Sequence, residues 1–234
     1  MVVTIDGPAG AGKSSVSREL ARRLGFRFLD TGAMYRAVAL AALERQVDWT
    51  DTAELEALAS AVSIEVTDDQ ILLDGRDVSS AIRTPEVTAA IHHVADNATV
   101  RGILVDLQRR LGGLCDTVTE GRDQGTVAFP QAECKIYLTA SSEERARRRV
   151  QDLATRGVAA DFTDILAQQN ERDRRDSTRQ VGRMIQTDDM VELVTDGLTP
   201  EQVVQRLEAI VCTRLREIAT STSACQAIDN ARHL

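Results

Sequence analysis

The octapeptide GPAGAGKS, Gly7 to Ser14, matches G-x-x-x-x-G-K-[ST]. Each of its residue types serves one chemistry, the holding of a polyphosphate. Glycines let backbone N–H groups turn inward around phosphate oxygens with no Cβ in the way. A helix beginning after the loop adds the partial positive charge of its N-terminus. Lys13 supplies a mobile point charge for β- and γ-phosphates, and Ser14 stands where a hydroxyl meets magnesium, directly or through water. Of the 28 basic residues only Lys13 and Lys135 are lysines, so Lys13 runs against the habit of the chain.

A second set of residues suits the same kind of ligand. Glu171 to Arg183, ERDRRDSTRQVGR, holds five arginines in a chain whose net charge is -8. On a helix from Asp161 to Arg179, Arg172, Asp176 and Arg179 fall at i, i+4 and i+7 and share one face, with Arg175 beside them. As a solvated face such pairs would add only roughly tenths of a kcal/mol. Against phosphate the same arginines offer planar, paired donors that never deprotonate. Arg145, Arg147, Arg148 and Arg149 crowd the preceding helix, before Gly157. Two arginine-rich helices with a short connection predict a lid over phosphates, approximately residues 149–179. DTGAMYR, Asp30 to Arg36, contributes Thr31 and Arg36. EGRDQGTVAFP, Glu120 to Pro130, contributes Arg122 and Asp123 between two glycines.

These residues need a frame. Val2, Val3 and Ile5 predict a buried strand, and Val16, Leu20 and Leu24 recur at helical spacing up to Gly25, so the loop sits between strand and helix. Phe26–Leu29, Thr117–Glu120, Cys134–Leu138 and Met190–Val194 predict further strands. Ala33–Leu43 predicts a helix. Ser141 to Glu144, SSEE, reads as a capping box, and Thr199-Pro200 as N-cap and N1 of a last helix through Leu207, Ile210 and Val211. Strands spaced by helices imply an α/β fold: a mostly parallel sheet with helices on both faces. Both DTGAMYR and EGRDQG then follow strands, at the carboxyl edge where open α/β sheets bind ligands.

One region breaks the rhythm. Ile64 to Asp74 predicts two short strands about a turn at Asp68-Asp69, and Asp74-Gly75 a second turn. Thr84 and Pro85 then open a helix. The expected organisation is a core of residues 1–56 and 98–214, a small α/β insert at 57–97, and a polar tail at 215–234 without pattern, read as frayed.

Composition excludes several classes. A pI near 5.0 argues against non-specific nucleic-acid binding. No apolar run approaches the roughly 20 residues that span a bilayer. The N-terminus enters VVTID directly, with no secretory pattern. Cys115, Cys134, Cys212 and Cys225 form no CxxC pair, so reduced thiols and a cytoplasmic setting are expected.

Taken together, TIDGPAGAGKSS, LDTGAMYRAVALAAL, DVSSAIRTPEV, Val100-Arg101, EGRDQGTVAFP, KIYLTASSEERARRR and ERDRRDSTR, in this order, resemble the bacterial cytidylate kinases from residue 2 to about 212. The resemblance implies a P-loop core with a five-stranded parallel sheet, a helical lid and an enlarged nucleotide-binding insert. It implies phosphoryl transfer from ATP to CMP or dCMP, with Mg2+. A monomer is expected, and composition argues against nucleic-acid and membrane partners. Carried over by motif, Gly7, Pro8, Ala9, Gly10, Ala11, Gly12, Lys13, Ser14 and Ser15 hold the ATP phosphates, and Ser14 meets the metal. Arg36, Arg122 and Arg179 take the CMP phosphate. Arg101 and Asp123 contact cytosine with Thr31 nearby, and Arg172 and Asp176 face the sugar. Lys13, Arg122 and Arg179 carry the catalytic charge. The chain departs from the family at Gln124, usually apolar, at His92, where a serine can help read the base, at Thr31 for serine, at Arg183-Met184 for Pro-Leu, and at Val194-Thr195 on the adenine side.

Two other readings fit the residues. One is a kinase for another small acceptor, such as UMP or a non-nucleotide. The other is a nucleotide-dependent switch without turnover, against which stands the lack of NKxD and DxxG motifs.

Overall fold

The computed structural model describes residues 1–67, 70–155 and 157–232, with side chains to residue 220. The chain opens with β1 (Val2–Asp6) and, after the glycine loop, α1 (Lys13–Leu24), then β2 (Arg27–Asp30) and α2 (Thr31–Glu44). α3 (Thr52–Ala61), β3 (Ile64–Val66), β4 (Ile71–Leu73) and β5 (Arg76–Asp77) follow, and a 3-10 turn, Ala81–Arg83, leads to α4 (Pro85–Asp96). α5 (Ala98–Gly112), β6 (Thr117–Glu120), a wide π turn at Gln124–Ala128 and β7 (Cys134–Thr139) return the chain to the main sheet. α6 (Ser142–Thr155), α7 (Phe162–Thr178), β8 (Val191–Val194) and α8 (Pro200–Arg232) complete it.

The main sheet has the order β2-β6-β1-β7-β8, all parallel, as alternating strands and helices predict. β1 lies at its centre, with Val3 and Ile5 fully buried, so the loop after Asp6 leaves from the middle of the carboxyl edge. Gly25 stops α1 in a left-handed conformation, φ 69°, its N–H returned to Ala21 and Arg22 carbonyls. One core joins β1 and β7 with α1 and α8 through Val3, Ile5, Leu20, Ile136, Leu138 and Leu207.

The other face of the sheet carries α2, whose alanines are buried nearly all round. That is how a helix reads when it has protein on two sides. On its far side lies the antiparallel sheet β3-β4-β5, with Ile64, Val66, Ile71 and Leu73 in the same core as Leu29 and Met34. The insert is thus continuous with the core, and residue 57 falls within α3. Asp74 (φ 51°) and Gly75 (φ 77°) make the two-residue hairpin expected of Asp-Gly between β4 and β5. Thr84 caps α4 by accepting from the Val87 N–H, with Pro85 at N1. The turn expected at Asp68-Asp69 lies outside the described residues.

The sequence reading missed α3 and α5. Both start at an Asx cap, Asp51 accepting from Glu54 N–H and Asn97 from Val100 N–H, the signal by which each could have been found. At α6 only half of the expected capping box forms: Ser141 Oγ accepts from Glu144 N–H, but Asp196, not Glu144, takes the Ser141 N–H. Glu144 instead pairs with Arg147 and Arg148. The box forms fully at α8, between Thr199 and Gln202. α8 continues past residue 215, where a frayed tail was expected, to Arg232. No glycine or proline interrupts that stretch, so nothing in the backbone stops the helix.

Candidate phosphate-binding cleft

The glycine loop crosses the carboxyl edge of the sheet between β1 and α1. Gly7 passes so close to β7 that a Cβ there would lie 2.0 Å from the Leu138 carbonyl oxygen, and its φ is 143°. Gly12, at φ 86°, turns the chain into α1. Only glycine takes such turns without strain. Lys13 Nζ is buried and donates to the carbonyls of Gly7 at 2.7 Å and Pro8 at 2.8 Å. Burial, and next the charge of Arg122, push its ammonium below the usual lysine range. Ser14 Oγ donates to Glu120 Oε1 at 2.8 Å, and Ser15 Oγ to Gly12 O at 3.0 Å.

Two carboxylates that sequence reasoning passed over sit beneath this loop. Asp6, fully buried at the end of β1, accepts the N–H groups of Gln124 at 2.8 Å and Gly125 at 2.7 Å. It therefore fixes the loop that carries Arg122 and Asp123 to the strand that carries the phosphate loop. Burial raises its carboxyl to about 6, against the pull of those donors. Glu120, buried at the end of β6, is raised as well, by burial and then by Asp30.

The arginines gather opposite Lys13. Asp176 on α7 accepts from Arg122 Nε at 2.9 Å and Arg179 Nη2 at 2.8 Å, so one carboxylate bridges two guanidinium groups. Burial works to raise its pKa, but Arg122, Arg172 and Arg179 together hold it below the carboxylate norm. Arg172 has no hydrogen bond or ion pair among the described residues. Burial and the neighbouring Arg122 push it down to about 10, the mark of a cation short of counter-charge. Arg36 reaches the insert, donating to Thr88 Oγ1 at 2.8 Å and Ile82 O at 3.3 Å. It too is lowered, by burial first, with Arg83, Arg149 and Arg122 adding repulsion. Arg174, by contrast, turns to solvent and pairs with Glu171.

A second pocket of charge lies behind. Asp123 and Arg101 form a buried ion pair, with side chains 6% and 4% exposed. Burial raises the Asp123 carboxyl, against the opposing charge of Arg101. Arg101 also donates to Ala95 O at 3.2 Å, and its guanidinium lies 5.5 Å over the Tyr35 ring. Thr31 Oγ1 donates to Glu120 O at 2.7 Å, so this hydroxyl is left as an acceptor. Gln124, where the resembling family is apolar, is buried and satisfied by Thr119 Oγ1 and Gln108 Oε1. The His92 ring lies tilted by 36° against His93, which stacks on Trp49 at 4.7 Å.

α6 and α7 pack directly on the glycine loop. Arg145 on α6 donates to Ala9 O at 2.8 Å, and Asp173 on α7 accepts the Ala9 N–H at 3.1 Å while pairing with Arg145. A Cβ at Gly10 would lie 2.7 Å from Gln169 Nε2. Arg148 holds the 194–195 turn, donating to Thr195 Oγ1 and O. Neither Asp173 nor Gln169 was singled out from sequence: each reads as an ordinary polar residue of an exposed helix.

Every candidate residue thus falls on the carboxyl edge of the sheet or on an element folded over it. A family model described as cytidylate kinase matches residues 3–213. A cytidylate kinase of Rhodopirellula baltica is 49% identical over 211 residues, covering 90% of this chain and 92% of that protein. One of Pelotomaculum thermopropionicum is 46% identical, covering 92% and 97%. A bifunctional pantoate ligase/cytidylate kinase of a Synechococcus species is 46% identical, and the chain spans 47% of its length. An uncharacterized protein from Eubacterium ventriosum shares the fold, with a TM-score of 0.51 at 10% identity over 91% of this chain and 98% of that one. The chain belongs to the cytidylate kinase family.

Proposed function

We propose that this chain transfers the γ-phosphoryl group of ATP to CMP or dCMP, giving ADP and CDP or dCDP. One observation supports this reading most: buried Lys13 sits on two carbonyls of the glycine loop, and Arg145 and Asp173 tie the arginine-bearing helices α6 and α7 to Ala9 of that same loop. A lysine suited to donor phosphates and arginines suited to an acceptor phosphate therefore lie on elements that meet at the carboxyl edge of the sheet. Membership of the cytidylate kinase family supplies the identity of the acceptor.

The loop from Gly7 to Ser15 would hold the ATP phosphates on its backbone N–H groups, and Lys13 would trade its two carbonyl partners for phosphate oxygens. Ser14 Oγ and the Glu120 carboxylate, 2.8 Å apart, are a hard-oxygen pair of the kind that suits Mg2+, which takes one or two protein oxygens beside phosphate and water. When bound, the ion neutralises charge on the β- and γ-phosphate oxygens. Arg36, Arg122 and Arg179 would take the acceptor phosphate, and Arg172 and Asp176 the sugar. Arg101 and Asp123 would read cytosine, with Thr31 able only to accept. The insert, residues 57–97, would enclose the acceptor, and the lid, about 149–179, would exclude water. No side-chain nucleophile is needed: alignment in line and neutralisation of developing charge are the work of the protein. A monomer acting in the cytoplasm fits this chemistry, and no helix among the described residues is long and apolar enough to cross a membrane.

Incubating the protein with ATP, Mg2+ and CMP and resolving the nucleotides by anion exchange tests the reading. It predicts CDP and ADP in equal amounts. ADP without CDP would mark an ATPase or a different acceptor.

A further inference from the structure

Arg179 is held by a residue that the proposed reaction does not use. Its Nε donates to Asp96 Oδ1 at 2.7 Å, while its Nη2 donates to Asp176 Oδ1. Nε and the adjacent amino group form the edge with which a guanidinium takes a phosphate in two parallel bonds. Here that edge is divided between two carboxylates on different elements. Asp176 is buried on α7 and also serves Arg122. Asp96 is the last residue of α4, in the insert, and its side chain is 41% exposed.

We infer that Asp96 is a competing carboxylate for the acceptor phosphate: it shares the phosphate-binding edge of Arg179 with Asp176 and must give up that edge to a bound nucleoside monophosphate, and so sets the affinity for the acceptor. The inference rests on the reading of Arg179 as a phosphate ligand. Arg122, Arg172 and Arg179 gather about Asp176, and with Asp96 on Arg179 the cluster carries one net positive charge. Release of Asp96 doubles it, toward a phosphate dianion. Of the two carboxylates Asp96 is the one free to leave, because water can solvate it in place, whereas Asp176 sits among Arg122, Arg172 and Arg179.

The position of Asp96 extends the effect to the insert. The preceding residue, Ala95, offers its carbonyl to Arg101 at 3.2 Å, so one turn at the end of α4 touches both the phosphate arginine and the arginine of the base pocket. Its exchange of partners is then felt by α4, which packs on α2 through Val87, Ala90 and Val94 in the shared core.

The test is the KM for CMP at saturating ATP in Asp96→Asn, with CMP affinity in the absence of ATP from calorimetry. Both should tighten by roughly three- to tenfold, the scale of one partly exposed charge pair, while the KM for ATP stays put. Glu65→Gln removes an equal charge from the exposed face of β3 and should not tighten CMP. Unaltered or weakened CMP binding in Asp96→Asn overturns the inference, since Asp96 would then be a bystander or would orient Arg179. Equal tightening in Glu65→Gln overturns it too, by making the effect one of diffuse charge. If Arg179→Ala leaves CMP kinetics intact, the reading of the site itself fails, and that outcome is separate from the behaviour of Asp96.

Discussion

The carboxylate of Asp173, on α7, accepts the backbone N–H of Ala9, in the glycine loop, at 3.1 Å. A residue of α7 thus occupies a donor of the kind that phosphate oxygens use, and Arg145 grips the carbonyl of the same residue. Asp173→Asn would leave the buried Arg145 guanidinium without its counter-charge, at a cost of about 1–3 kcal/mol. We expect a lower Tm and a raised KM for ATP, with the KM for CMP changed less. Thermal unfolding and two-substrate kinetics check this, and an effect confined to CMP would contradict it.

Lys13→Ala should lower kcat by a factor on the order of 100 or more, the scale of removing one donor to developing charge. Lys13→Arg should not restore it. Nζ lies between two loop carbonyls, at 2.7 and 2.8 Å, in a space fitted to a compact ammonium rather than a planar fork. Single-turnover rates for the three proteins decide the matter. Turnover of the Arg variant at the wild-type rate would show that charge alone suffices.

How far the sequence reaches is seen at particular residues. The five strands of the main sheet, the glycine loop and the face shared by Arg172, Asp176 and Arg179 could be read from periodicity and spacing, because each is a local pattern. Arg174, two residues on from Arg172 and so about 200° around the helix, pairs with Glu171 in solvent. Asp6, Asp96 and Asp173 could not be read. Their partners lie 118, 83 and 164 residues away, and an aspartate at a strand end or on a helix has no local signature of the contact it makes. Gln124 showed only as a departure from an apolar pattern. Its partners Thr119 and Gln108 appear once β6 and α5 are brought together.

Asp6 gives the protein a pH signature. Burial raises its carboxyl from 3.8 to about 6, so between these values the folded chain holds a proton that the unfolded chain has lost. Folding stability from this group therefore falls as pH rises through that window and is level above it. Asp6→Asn keeps the shape and removes the titration. The stability of wild type minus that of the variant, from urea unfolding at pH 4 to 7, should decline up to about pH 6 and then flatten. A difference that grows with pH would mean that Asp6 is held ionised by Gln124 and Gly125.

Position on α7 should rank the arginines. Arg179→Ala should reduce kcat/KM for CMP by a factor on the order of 100, as befits a charge-assisted phosphate donor. Arg172→Ala should alter the ratio of CMP to dCMP use. Arg174→Ala should do little, since an exposed pair contributes about 0–1 kcal/mol. Steady-state kinetics on both acceptors, with unfolding measured alongside, separates these cases. Losses that simply track stability would make the cluster structural.

The central claim, that the glycine loop with Lys13 and the arginines gathered at the carboxyl edge form a cytidylate kinase site, is tested most directly by coupled ADP release across CMP, dCMP, UMP and AMP at one ATP concentration. The account predicts the largest kcat/KM for CMP or dCMP, with AMP far behind. Comparable rates with all four acceptors, or ADP release independent of any acceptor, would contradict it.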